Sequence, residues 1–124
     1  MSMAFDNSKP IFMQIRDKIE DQIVNDQLKE QDQVPSTNQL VQFYKINHIT
    51  VAKGINMLVD EGILFKKRGV GMFVAEGAKE IIMRKRRSAF VDEYVLPLVL
   101  EAEKLGISEA EIAALIKETK GRDQ

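Results

Sequence analysis

Asn47, His48, Thr50 and Lys53 fall on the side of a predicted helix opposite Val51, Ile55 and Leu58. An amide, an imidazole, a hydroxyl and an ammonium so placed can hydrogen-bond base edges and attract phosphate. Each also has a plainer use. Asn47 reads equally as the helix cap, Thr50 as an early hydroxyl satisfying backbone, and Lys53 as a solvated lysine. Further on, Lys66, Lys67 and Arg68 adjoin Gly69 and Gly71, so a tight turn there could carry cations close to a polyanion. Catalytic chemistry has much less to build on. His48 is the only histidine and there is no cysteine, which leaves no multi-histidine site, thiolate ligand or nucleophile, and no Ser-His-Asp triad elsewhere. The carboxylates form no catalytic pattern, and Gly69-x-Gly71 alone is a poor nucleotide signature. No catalytic residue, metal or cofactor is expected, and the chain does not read as an enzyme.

The net charge of −1 is unevenly spread. Residues 64–87 carry eight cations against two carboxylates, a local balance of +6. Residues 1–63 come to −3 and residues 88–124 to −4. Screening confines phosphate attraction to roughly 10 Å, so a basic island on an acidic chain can still bind nucleic acid. Arg84–Arg87 belongs either to that island's working surface or to a solvated helix face. At 124 residues, with 44% hydrophobic and 30% charged residues, the chain has room for one domain and an appendage. No apolar run reaches the ~18 residues of a membrane span, and the N-terminus has no secretory core. A cytoplasmic protein without a membrane partner is expected.

The elements that must position these groups can be placed in order. Ile11, Ile15, Ile19 and Ile23 recur every four residues and predict a first helix, with Pro10 in its first turn. Residues 26–34 are polar and predict a loop. Ser36 and Gln39 form a capping-box pattern that starts a second helix through Leu40, Val41 and Phe43. A third helix takes its core stripe from Val51, Ile55, Leu58 and Val59, and Gly62 stands where a left-handed residue ends it. Leu64–Lys67 and Met72–Val74 predict two short strands around Arg68–Gly71. Such an order seats the third helix in a major groove with the hairpin reaching flanking backbone.

Beyond Gly77, Ile81, Ile82, Phe90, Val91, Tyr94, Val95 and Leu98 predict a long amphipathic helix, interrupted or kinked near Pro97. Gly106 ends it, and Ser108 with Glu111 caps a last helix bearing Ile112, Leu115, Ile116 and Thr119 on one face. Short helices with apolar faces must pack on the preceding body or on a second subunit. Phe90, Tyr94, Leu98, Ile112, Leu115 and Ile116 are therefore candidate dimerisation residues, with Phe90 and Tyr94 open to lining an effector pocket instead.

Pro10-Ile11-Phe12-x-Gln14-Ile15, Leu28, Pro35-Ser36, Leu40, Thr50-Val51, Leu58, Glu61-Gly62 and Gly69-x-Gly71-x-Phe73-Val74 resemble the DNA-binding domain of GntR-family bacterial regulators. The likeness covers roughly residues 9–75, and the short helical tail resembles the YtrA-like branch, whose members dimerise through it. It implies a sequence-specific transcription regulator of the repressor kind, often linked to transporter operons, binding an inverted-repeat operator as a homodimer. DNA contacts would come from Ser36, Thr37, Asn38, Asn47, His48, Thr50, Lys53, Arg68 and Gly69. The chain departs from the family at Asn38 and His48, where arginine is usual; arginine pairs with guanine, whereas asparagine prefers adenine.

The expected fold class is α+β, mostly α: a winged helix-turn-helix over residues 1–76 and a two- to three-helix dimerisation appendage over 77–124. Expected partners are double-stranded DNA, a second copy and a small-molecule effector of unassigned identity. The alternative is a winged-helix protein-interaction adaptor without specific DNA binding.

Overall fold

The computed structural model describes residues 5–122. Ile15, Ile19 and Ile23 are buried along one face of α1 (Ile11–Val24), as their spacing requires. Ile11 is 40% exposed, because it opens the helix before the core begins, and Pro10 stands at the position just before α1 rather than within it. The capping box at Ser36 starts α2 (Thr37–Tyr44). The Ser36 side-chain oxygen accepts the Gln39 backbone N–H at 3.1 Å while the Gln39 side-chain Oε1 accepts the Ser36 backbone N–H at 2.8 Å. Lys45 ends α2 in the left-handed region (φ 59°, ψ 43°), and the chain turns through Ile46 into α3 (His48–Asp60).

Val51, Ile55 and Leu58 are buried on α3 and pack with the α1 isoleucines, Leu40 and Val34. Burying each such side chain contributes roughly 1.5–3 kcal/mol, so this cluster dominates the unit's cohesion. After Gly62 (φ 78°), β1 (Leu64–Lys67) and β2 (Gly71–Val74) pair antiparallel, with Leu64 opposite Val74 and Lys67 opposite Gly71. This is a winged helix. The segment predicted as a plain loop does more than connect. Gln33 bridges Phe73 antiparallel, supported by Val34 N–H to Met72 O (2.9 Å) and Val74 N–H to Asp32 O (2.9 Å). Residues 31–34 thus pair with the outer edge of β2, and Val34 joins the core.

Ala78 and Ile82, in the first turns of α4 (Ala78–Phe90), are buried in that same cluster. The chain accordingly divides into compact units at Arg84/Lys85, inside α4, rather than at the 76/77 boundary read from the sequence. Within the second unit, a π-helical turn (Val91–Val95) joins α4 to α5 (Leu96–Leu105), and α6 (Glu109–Arg122) follows. The helical irregularity lies just before Pro97. Proline has no N–H, and its ring crowds the preceding turn; the wider turn closes with the Leu96 N–H donating to Val91 O. Gly106 (φ 69°) ends α5, and the Ser108–Glu111 box starts α6. Burial does not follow helix formation here: Ala102 is the one described residue of this unit that is buried.

Candidate nucleic-acid interface

Three elements of the first unit carry the predicted contact residues. Asn47 caps α3 from an extended conformation, its Oδ1 accepting the Thr50 N–H at 2.8 Å. Capping fixes where the helix starts, and with it the direction of every side chain in the first turn. Asn47, His48 and Lys53 are exposed and Thr50 is half-buried. Asn47 keeps its side-chain N–H groups while its oxygen caps, so capping and base contact are compatible.

Lys53 is not free in space. Its ammonium lies 4.1 Å from the centre of the Phe12 ring, so a cation–π contact anchors it to α1. The charge remains exposed while the stem's freedom is reduced. Ile49, which the sequence reading passed over as a site residue, is 80% exposed at the second position of α3. Its signal was available: it falls off the Val51–Ile55–Leu58 stripe.

On α2, Ser36 and Asn38 are exposed and Thr37 is half-buried. The Ser36 hydroxyl accepts from Gln39 and still has its own proton to donate.

The wing holds the third group. Val70 N–H donates to Lys67 O at 2.9 Å, and Gly69 takes φ 78° within that turn, a conformation glycine reaches without strain. Arg68 and Gly69 are exposed at the tip. Lys67 folds back with its ammonium 4.4 Å from the centre of Phe73, whose ring stacks on Phe65 at 5.9 Å. Lys66, on the opposite face of the strand, is exposed. In α4, Arg84 and Arg87 are exposed while Lys85 and Arg86 are half-buried, so the four-residue basic run is not one uniform solvated face.

The second unit gathers the predicted dimerisation residues into two sets. Leu98, Ile112, Leu115 and Ile116 line a groove of about 370 Å³ between α5 and α6, with Glu101 and Lys120 also contributing. Phe90 and Tyr94 are not part of its lining; their rings sit against each other, 5.7 Å apart, and both are exposed. Among the described residues, no group of His, Asp or Glu side chains is placed to hold a metal ion, and no helix is long and apolar enough to cross a membrane.

Comparison with known proteins agrees with this geometry. The model of the bacterial regulatory proteins of the gntR family matches residues 12–74, and the chain belongs to that family. It is 30% identical over 117 residues to the helix-turn-helix-type transcriptional regulator YhcF of Bacillus subtilis, covering 94% of this chain and 95% of YhcF. It is 28% identical to the transcriptional repressor YtrA of the same organism, covering 90% of this chain and 85% of YtrA. A GntR-family structure from Bacteroides thetaiotaomicron superposes with a TM-score of 0.77 at 34% identity, over 92% of this chain and 99% of that one. The DNA-binding domain of AraR, solved in complex with an operator, superposes with a TM-score of 0.54 at 27% identity, over 60% of this chain and 90% of that domain.

Proposed function

We propose that this protein is a cytoplasmic transcription repressor that binds an inverted-repeat operator as a homodimer. The observation that carries this reading is the leading edge of α3: capped by Asn47, and with His48, Ile49 and Lys53 held outside the core of a winged-helix unit. The AraR domain, of the same fold, engages an operator, and the YtrA relative is a repressor. In this reading α3 enters the major groove, with Asn47, His48 and Thr50 at base edges or phosphates and Lys53 at phosphate. Ile49 offers an apolar surface to a thymine methyl. Ser36, Thr37 and Asn38 meet flanking backbone or bases, and Arg68 and Gly69 bring the wing to backbone or minor groove. Two α3 helices would then occupy successive major grooves about 34 Å apart.

The uncovered apolar surface of the second unit supports dimerisation there. Leu98, Leu115 and Ile116 are each between 45% and 49% exposed, and Phe90 and Tyr94 more so. A second copy would cover these faces and supply the two-fold relation that an inverted repeat needs.

The adaptor reading has one observation in its favour. Ile49 and Phe43 are 80% and 60% exposed, and apolar side chains in the open also suit protein contact. Salt separates the two. A protein neutralising 6–10 phosphates loses roughly 10³–10⁵ in affinity between 50 and 200 mM salt. Anisotropy titrations of labelled duplex should show that steep loss. Lys53→Ala and Arg68→Ala should each flatten the log–log slope by about one. A slope near zero for the wild-type protein would favour the adaptor.

A further inference from the structure

We propose that Gln33 is a positioning residue for the wing: it braces the turn bearing Arg68 and Gly69 from a segment far away in sequence, and so sets the wing's contact with DNA. The inference rests on the DNA-binding reading above and extends it to a residue outside α2, α3 and the hairpin. The Gln33 Nε2 group donates to the Val70 carbonyl oxygen at 3.0 Å, across 37 positions of chain. Its backbone is fixed by the bridge to Phe73 and by the flanking bonds of Asp32 and Val34. A side chain rooted on a paired backbone transmits that backbone's order to whatever it holds. Here it holds the carbonyl of Val70, the last residue of the turn.

Gly71 makes room for this arrangement. A Cβ at residue 71 would stand 2.6 Å from Gln33 Nε2, so the amide passes through the space that a side chain would fill. The φ of 141° at Gly71 is also one that L residues rarely adopt. Glycine at 71 therefore answers two demands together: the bend into β2, and a path for the Gln33 amide to reach Val70. The turn's own bond, Val70 N–H to Lys67 O, closes the loop locally but does not fix its direction relative to the rest of the unit. The Gln33 bond ties it to the 31–34 segment, which itself pairs with β2 and buries Val34 in the core.

The consequence for binding is one of order. Arg68 on a wandering tip loses more freedom when it meets a phosphate than Arg68 on a braced one, and that loss weakens the complex. Gln33→Ala should leave the fold intact, since Gln33 is exposed. In the free protein, backbone order parameters at Gly69 and Val70 should fall from ~0.85 toward ~0.6, with those of α3 unchanged. Gln33→Glu, which keeps the length but loses the donor, should loosen the tip as well. Duplex affinity should drop about 3- to 10-fold for Gln33→Ala, the range of one net hydrogen bond. In an Arg68→Ala background the same change should cost less than about 2-fold, because only the Gly69 backbone then remains at the tip to position.

An unchanged tip in both Gln33 variants overturns the proposal. So does a loss of affinity for Gln33→Ala that is the same with and without Arg68, which would make Gln33 a direct contact or a stability residue. If wild-type protein binds no duplex at any salt concentration, the function proposed above fails and the positioning role fails with it. That result is distinct from wild-type binding that Gln33→Ala leaves untouched, which removes only the Gln33 role.

Discussion

A Cβ added to Gly54 would stand 2.7 Å from the Phe12 carbonyl oxygen and 3.3 Å from Ile15 Cβ. Gly54 is buried in the middle of α3, and its bare Cα lets α3 lie directly against the start of α1. The same approach puts Lys53 over the Phe12 ring. Gly54→Ala gains roughly 1 kcal/mol in helix propensity, but the carbonyl it strikes is backbone and cannot swing aside. Overpacking of this kind costs about 1–3 kcal/mol. We expect net destabilisation of up to about 2 kcal/mol, read as a lower urea midpoint with an unchanged slope. A stability raised by roughly the 1 kcal/mol of helix propensity would show that the two helices separate without penalty.

Capping and contact at Asn47 can be separated. Asn47→Ala removes the acceptor for the Thr50 N–H and should cost about 1 kcal/mol of stability as well as affinity for DNA. Asn47→Asp keeps an acceptor, favoured at a helix N-terminus, while placing a negative charge toward phosphate. It should melt within a degree or two of wild type and bind duplex at least ten-fold more weakly. An Asp variant that binds as well as wild type would confine Asn47 to capping.

Local spacing carries much of this fold, and the parts it misses share a cause. Both capping boxes join residues three apart, so Ser36–Gln39 and Ser108–Glu111 are visible in the chain itself. The isoleucine stripe of α1 and the core face of α3 repeat at helical spacing and are equally visible. Periodicity marks a face but not the extent of its cover: Ile11 lies on the stripe and is exposed, as is Phe43 in the apolar run of α2. What escaped the sequence depends on contacts between distant segments. Gln33 matters because it meets Val70, Gly54 because it meets Phe12, and Lys53 is held by Phe12 rather than projecting freely. The unit boundary moved into α4 for the same reason, since only packing shows that Ala78 and Ile82 complete the first core. Gly54, read along the chain alone, is merely a weak helix former.

The proposed dimer contact of the second unit can be tested without unfolding its helices. Leu115 is 45% exposed and lines the groove between α5 and α6. Leu115→Glu therefore buries no new charge in a single chain, but would place one in a dimer core. Sedimentation at micromolar concentration should shift from dimer to monomer with the helical circular dichroism retained. A variant that stays dimeric would place the subunit contact elsewhere.

Acid should act on α1 through Asp17. Burial pushes its carboxyl upward, but hydrogen bonds from Lys9 (2.6 Å) and Arg16 (2.9 Å) outweigh that and hold it below the ordinary aspartate value. A group depressed in the folded state stabilises the protein above its unfolded value and loses that contribution as pH falls through the folded one. Asp17→Asn should therefore cost up to about 1 kcal/mol at pH 7, the range of a partly solvated ion pair. The difference between wild type and variant should shrink below about pH 4. A gap that stays constant down to pH 2 would show that the pairing does not stabilise the fold.

Selection of bound fragments from random duplex DNA by the purified wild-type protein tests sequence-specific, two-fold binding head-on. We expect enrichment of two copies of a short half-site in inverted orientation, centred about 10 base pairs apart or a multiple of that. Enrichment should fade as salt rises through ~200 mM. Recovery of the input distribution after repeated rounds, with folded protein confirmed, would contradict sequence-specific DNA binding and return the exposed edge of α3 to the adaptor reading.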